Sequence, residues 1–159
     1  MKLHELVCAE AIVPELESRE RNGVIRELVR VLADSGAIPT SAVDGVIKSI
    51  IARERTRGTT GFGKGVAAPH AKVTGLKRAV AAIGRSTAGI DFAALDGGPV
   101  FGVFLILSPE DDPQQHLKAM ELVFRHLQQE RFRRFLQQSD TVEKIVDLLK
   151  EVDEAALAD

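Results

Sequence analysis

Residues 58–70 read GTTGFGKGVAAPH. Glycines crowd the first eight of these residues, a short apolar run follows, and a Pro-His pair closes it. The segment GTTGFGKG nearly matches the phosphate-loop pattern G-x-x-x-x-G-K-[ST] of nucleotide-binding domains. Two features oppose that reading. The place of the magnesium-holding hydroxyl is taken by Gly65. The residues ahead of Gly58 carry apolar side chains at helical spacing, whereas a phosphate loop follows a strand. No later strand ending in an acid stands out as a second nucleotide motif, since Leu107 is followed by Ser108-Pro109. As a plain turn, the glycines would supply left-handed backbone and nothing else. The alternative is a site: the loop leads into a short strand ending at Pro69-His70, and proline stiffens the approach to the histidine. Exposed backbone N–H groups of such a loop would then form an anion nest beside His70.

Working outward, the preceding chain reads as helical. After a short amphipathic start and a strand near Ala11 to Val13, apolar residues Val24, Ile25, Leu28, Val29, Val31 and Leu32 repeat at helical spacing until Gly36. Pro39-Thr40-Ser41 opens a second helix, whose stripe is Val43, Val46, Ile47, Ile50 and Ile51, followed by the charged run RERTR. Beyond the loop the pattern changes to strands: Val66 to Ala68, Ala79 to Ile83, and Val100 to Leu107. The last is a continuous run of eight apolar residues or glycine, expected to be a central strand buried on both faces. Asp112, Pro113 and Gln115 announce a helix by N-cap, first-turn proline and capping box. Its expected buried face is Leu117, Met120, Val123, Phe124 and Leu127. A short helix near Arg131 to Gln137 and a final one capped by Asp140 with Glu143 complete the chain. The reading is a single α/β domain over residues 3–150, a mixed sheet of about five strands covered by helices on both faces, with a short frayed tail at 151–159.

Bulk properties bound the function. The chain of 159 residues is long enough for one proper core. Its 21 basic against 23 acidic residues give no electrostatic reason to bind nucleic acid, and the absence of Trp and Tyr leaves few stacking platforms. A single cysteine, Cys8, rules out an intramolecular disulfide or a cysteine-rich zinc site. Neither a signal peptide nor a membrane span is legible, so a cytoplasmic protein is expected. His70 and His116 alone are too few ligands for zinc, and no metal or cofactor is expected. His4 reads as a surface residue and His126 as structural.

The stretch 59–70, TTGFGKGVAAPH, resembles the active-site signature of the fructose/mannitol-type enzyme IIA domains of the bacterial phosphoenolpyruvate-dependent sugar phosphotransferase system, roughly S-T-G-[IL]-G-x-G-[IV]-A-[IV]-P-H. Asp91-Phe92 with Asp96-Gly97 and Pro99-Val100 resembles the family's stretch before its central strand. His116-Leu117, at a helix start after a proline-containing loop, resembles its second active-site histidine. The likeness spans about residues 3 to 150. It implies a fold shared with the cytoplasmic domains of anion transporters. It also implies phosphorylation at His70, a neighbouring His116 that orients it or binds the phosphoryl group, and Thr60 close to the phosphoryl oxygens. The family's Arg-Glu pair ahead of the loop is out of register by one residue here: the arginine's position falls on Glu54, leaving Arg53 or Arg55 to serve.

The chemistry suits these residues. Neutral imidazole is a good nucleophile at neutral pH, and phosphoryl transfer needs positioning and charge stabilisation more than covalent help. The resemblance implies a phosphotransferase component that accepts a phosphoryl group from an HPr-type phosphohistidine protein. It then either regulates protein targets, the favoured nitrogen-type role of a stand-alone chain, or hands the group to a IIB cysteine in sugar uptake. A non-catalytic binding module on the same fold is the alternative from another class; keeping both histidines argues against it.

Overall fold

The computed structural model describes the backbone of residues 1–158 and the side chains of residues 1–155. The chain runs through α1 (Leu3–Leu6), β1 (Val7–Val13), α2 (Arg21–Asp34), a 3-10 turn, α3 (Val43–Arg57), β2 (Val66–Ala67) and β3 (His70–Val73). It continues through β4 (Val80–Ile90), β5 (Val100–Pro109), α4 (Pro113–Leu127), α5 (Glu130–Gln138) and α6 (Val142–Ala158).

These strands make one mixed sheet of five. The order is β1-β4-β5-β2, with β3 also on β5. β4 and β5 are antiparallel, while β1 runs parallel to β4, and β2 and β3 run parallel to β5. The apolar run 100–107 is thus the sheet's spine, paired on both edges. Its side chains alternate as a strand requires. Val103, Leu105 and Leu107 join α2 and α3 in one core layer, and Phe104 and Ile106 join α1, α4, α5 and α6 in the other. Both faces are covered by helices, which is why the run shows no polar alternation.

Several local expectations differ from the structure. β4 extends to Ile90, well past Ile83. On α4 the buried residues are Ala119, Leu122, Val123, His126 and Leu127, and Leu117 is 57% exposed. Asp112 does cap α4 by accepting the Gln115 N–H at 3.1 Å. Gln115 does not close the capping box; its side-chain oxygen accepts the N–H of Ala79 instead. α6 is capped by Thr141, whose hydroxyl accepts the Lys144 N–H at 3.2 Å, and Asp140 pairs with the Lys144 ammonium at 2.8 Å. Residues 151–158, expected as a tail, continue α6, and buried Asp153 there accepts the N–H groups of Leu3 and His4. That contact also draws in the His4 ring, at 2.5 Å.

Candidate active site

β2 and β3 lie end to end along β5, separated by Ala68-Pro69. Proline cannot donate to the ladder, so the edge strand breaks there. The Pro69 carbonyl still accepts the Ile106 N–H at 3.0 Å, which keeps the break tight against the spine. His70 therefore opens a strand rather than ending one, facing Ile106 in register. Its Nδ1 lies 2.9 Å from the Ala68 carbonyl. A carbonyl can only accept, so Nδ1 carries the proton and Nε2 keeps its lone pair. Burial holds the His70 pKa below its ordinary value. The Ala68 hydrogen bond opposes this, and the charge of Arg53 adds to it.

His116 arrives from the other side, one turn into α4. Its ring centroid stands 5.5 Å from that of His70, with 49° between the planes. Its Nδ1 is 2.8 Å from the hydroxyl of Ser108, near the end of β5. Burial lowers its pKa too, helped by the charges of His70 and Lys72. Both shifts favour the neutral ring at pH 7.

The third wall is α3. Ser49, Arg53 and Arg57 recur every four residues on one helix face. Together with His70, Lys72, Glu110 and His116 they line an open cleft of about 530 Å³. Arg55 is about 200° around the helix from Arg53 and does not line it. Arg53 is thus the arginine brought to the histidines, and Arg55 is not. Sequence reasoning missed Arg57 and Lys72. The first was legible four residues after Arg53, the second two residues after His70 on the same strand face. Clefts of similar volume, about 540 and 520 Å³, lie by Asp34 and Arg78 and by Thr74 and Lys77; neither contains a histidine.

The glycine loop does something other than expected. The Thr60 N–H donates to the Glu54 carboxylate at 3.0 Å, and the Thr60 hydroxyl donates to the same carboxylate. The Gly61 N–H donates to the Thr59 hydroxyl at 3.0 Å, and the Lys64 N–H to Asp96 at 3.0 Å. The 91–98 segment is laced to the loop a second time by the Leu95 N–H on the Gly61 carbonyl, 2.8 Å. Several of the loop amides expected to form an open anion nest are therefore occupied by the protein's own groups, two of them by its own carboxylates. Thr60 is buried and does not line the cleft, and its hydroxyl proton is committed to Glu54. Gly63, at φ +108°, and Gly65, at φ +82°, supply the left-handed backbone of the turn, with Lys64 between them at φ +63°.

Glu54, at the position where the resemblance expects an arginine, is a buried residue of α3. It is only 3% exposed and continues the buried stripe Val43, Val46, Ile47 and Ile50. The helix turns Glu54 inward beneath the loop and Arg53 outward to the cleft.

Among the described residues no group of three or more His, Cys, Asp or Glu side chains is gathered to hold a metal ion. None of the described helices is long and apolar enough to cross a membrane.

Comparisons with known proteins bear on the family and the fold. A family model described as "Phosphoenolpyruvate-dependent sugar phosphotransferase system, EIIA 2" matches residues 5–152. A nitrogen regulatory protein of Bradyrhizobium diazoefficiens is 32% identical over 94% of this chain and 95% of its own. The fructose-specific EIIABC component of Bacillus subtilis is 33% identical over 96% of this chain, which spans only 24% of that longer protein. Among solved structures, the nitrogen regulatory protein IIA-Ntr of Neisseria meningitidis superposes with a TM-score of 0.80 at 28% identity, covering 92% of this chain and 98% of that one.

Proposed function

Because the chain belongs to the EIIA 2 family of the phosphoenolpyruvate-dependent sugar phosphotransferase system, we propose that it is a phosphocarrier which takes a phosphoryl group on Nε2 of His70. The observation that carries this reading is the His70 ring itself. Its Nδ1–H is pinned to a backbone carbonyl, so its free lone pair is the one available to the cleft. The donor is a phosphohistidine of an HPr-type protein. Nε2 of His70 attacks the phosphorus in line, a new N–P bond forms, and the donor's N–P bond breaks, returning a lone pair to its imidazole. Arg53 and His116 would face the equatorial oxygens and stabilise their charge, and no metal is required.

Three features support the residue roles. Burial favours the neutral form of both imidazoles, the form able to act as nucleophile or to accept a hydrogen bond. The cations Arg53, Arg57 and Lys72 line the same cleft. The pinned tautomer spares the transition state the cost of orienting the ring. Thr60 and Glu54 serve by fixing the loop that leads into His70. Arg55 has no part in the site.

For the acceptor we favour regulatory protein targets, supported by the nitrogen regulatory relatives in Bradyrhizobium and Neisseria. Transfer to a IIB cysteine is the second reading, supported by the fructose-specific relative. A cytoplasmic location accompanies either role.

The test is phosphotransfer from phosphoenolpyruvate through purified enzyme I and HPr. The wild-type protein gains one phosphoryl group by intact mass, acid-labile and base-stable, and His70→Ala gains none while melting normally. A wild-type protein that stays unlabelled beside a working donor would reduce the chain to a binding module.

A further inference from the structure

The strand VFGVFLILSP is apolar until its penultimate residue, Ser108, which is fully buried. A hydroxyl at such a place loses its water and must find a partner inside the protein. Among the described residues Ser108 has one, the Nδ1 of His116 at 2.8 Å. The strand register sets Ser108 opposite Lys72, two residues along from His70 and its partner Ile106. The β5 spine thus supports His70 through β3 and His116 through Ser108.

The pairing decides a proton. If Nδ1 of His116 carried the hydrogen, it would donate to Ser108, and the serine's own proton would be left buried without an acceptor. That arrangement leaves a desolvated donor unsatisfied. If the serine donates instead, both groups are satisfied, Nδ1 of His116 is an acceptor, and the ring's hydrogen sits on Nε2.

We propose that Ser108 is a positioning residue for phosphoryl transfer, one that holds His116 in its Nε2–H tautomer so that this ring edge donates a hydrogen bond in the cleft beside His70. The two histidines are then held in opposite tautomers by opposite devices. A backbone carbonyl forces His70 to keep its proton on Nδ1 and use Nε2 as nucleophile. A buried hydroxyl forces His116 to keep its proton on Nε2 and act as donor. The second half of the statement rests on the phosphocarrier reading; the tautomer itself does not.

Nitrogen-15 NMR of the histidine side chains in the unphosphorylated protein tests the tautomer without any phosphoryl donor. The expected result for the wild type is an unprotonated Nδ1 and a protonated Nε2 on His116, with the reverse on His70. In Ser108→Ala the His116 signals move towards a mixture of tautomers while those of His70 stay in place. In Ser108→Thr, which keeps the hydroxyl, they return. Transfer from HPr to His70 is expected to fall roughly five- to tenfold in Ser108→Ala, the worth of one hydrogen bond, and to recover in Ser108→Thr. A wild-type His116 protonated on Nδ1 overturns the proposal, even if the alanine variant fails to fold. So does a tautomer that ignores Ser108→Ala, or a shifted tautomer with an unchanged transfer rate. Failure of the carrier reading is seen separately, as a wild-type protein that is never labelled.

Discussion

The glycine loop at 58–65 precedes His70 in the chain and the junction of β5 with α4 carries His116, yet the two are built on opposite principles. The loop is conspicuous in sequence and turned inward in structure. Amides of Thr60, Gly61 and Lys64 are taken by Glu54, the Thr59 hydroxyl and Asp96. The junction looks ordinary in sequence, an apolar strand giving way to a capped helix, and it delivers His116 to the cleft with buried Ser108 against its Nδ1. What lines the cleft is an array of side chains from α3, β3 and α4, with Glu110 from the turn between β5 and α4. The loop's polar groups are spent inside the protein, tying it to α3 and to the 91–98 segment just ahead of the β2–β3 break. Glycine richness near a candidate phosphate site is therefore no proof that the backbone binds the phosphate.

The difference is broken or sharpened most strongly at α3, where neighbouring residues serve the two regions separately. Arg53→Ala removes a cleft cation beside His70. It is expected to slow phosphotransfer about 100-fold, in line with losing one preorganised charge-stabilising donor, and to leave stability nearly unchanged. Arg55→Ala, pointing away, is expected to change neither by more than about twofold, as for ordinary surface substitutions. Single-turnover transfer from phosphorylated HPr measures both. Equal effects from the two arginines would contradict the helix-face assignment.

Glu54→Ala acts on the loop side. It leaves the Thr60 N–H and hydroxyl buried without an acceptor, and the expected loss is about 2–4 kcal/mol of unfolding free energy. Urea denaturation is the measurement. Glu54→Gln keeps an acceptor oxygen and is expected to lose less. If Glu54→Ala unfolds at the wild-type midpoint, the clamp is not what holds the loop.

The histidines add a pH signature. Burial sets the folded pKa of both His70 and His116 below their ordinary value of about 6.5. His70 therefore takes up its proton at a lower pH than a free imidazole, and transfer is expected to decline at correspondingly lower pH. The stability sign follows from the same shift. Well above 6.5 the two rings contribute no pH dependence. As pH falls below 6.5 the unfolded chain takes up protons first, so folding weakens until the folded pKa is passed. An NMR titration of the His70 ring checks the midpoint, and in Arg53→Gln it is expected to rise, because a cation that disfavours the imidazolium is gone. A wild-type midpoint above 6.5 would contradict the burial argument.

Much of this was legible in the sequence, and the gaps have physical causes. The eight-residue run at 100–107 announced the doubly covered spine because no polar residue interrupts it. The length of β4 was hidden because Arg85, Ser86 and Thr87 break the apolar pattern. The Arg85 guanidinium reaches carbonyls of Gln137 and Pro14, and Thr87 donates to Glu15, so these polar residues are satisfied by loops and helix ends. His70 and His116 follow from the family resemblance, which leaves Arg53 and Arg55 undecided until the helix face places Arg53 at the cleft. Thr60 was expected to face the ligand because motif position says nothing about which way a hydroxyl turns. Glu54 could have been found from the helix: an acid four residues after Ile50 continues a buried stripe and demands a partner. Ser108 could not, since its partner is set by the turn into α4, which periodicity does not encode.

The smallest effect is expected at the outer clamp, and its smallness is what makes it informative. Asp96 accepts the N–H groups of Lys64 and Gly98, each at 3.0 Å, and these bonds hold its pKa below the ordinary carboxylate value. Its contribution is therefore present at neutral pH and lost as pH falls through the carboxylate range. Unlike Glu54, Asp96 is exposed, so in Asp96→Ala water replaces the lost acceptor and no buried donor is left unpaired. The variant is expected to unfold close to the wild-type urea midpoint and to be phosphorylated within about twofold of the wild-type rate. The loop's two carboxylates then separate cleanly, one holding it from inside at high cost of removal and one from outside at little. A loss from Asp96→Ala as large as that from Glu54→Ala would mean that the Gly63–Gly65 turn, rather than the Thr60 end, sets the position of His70.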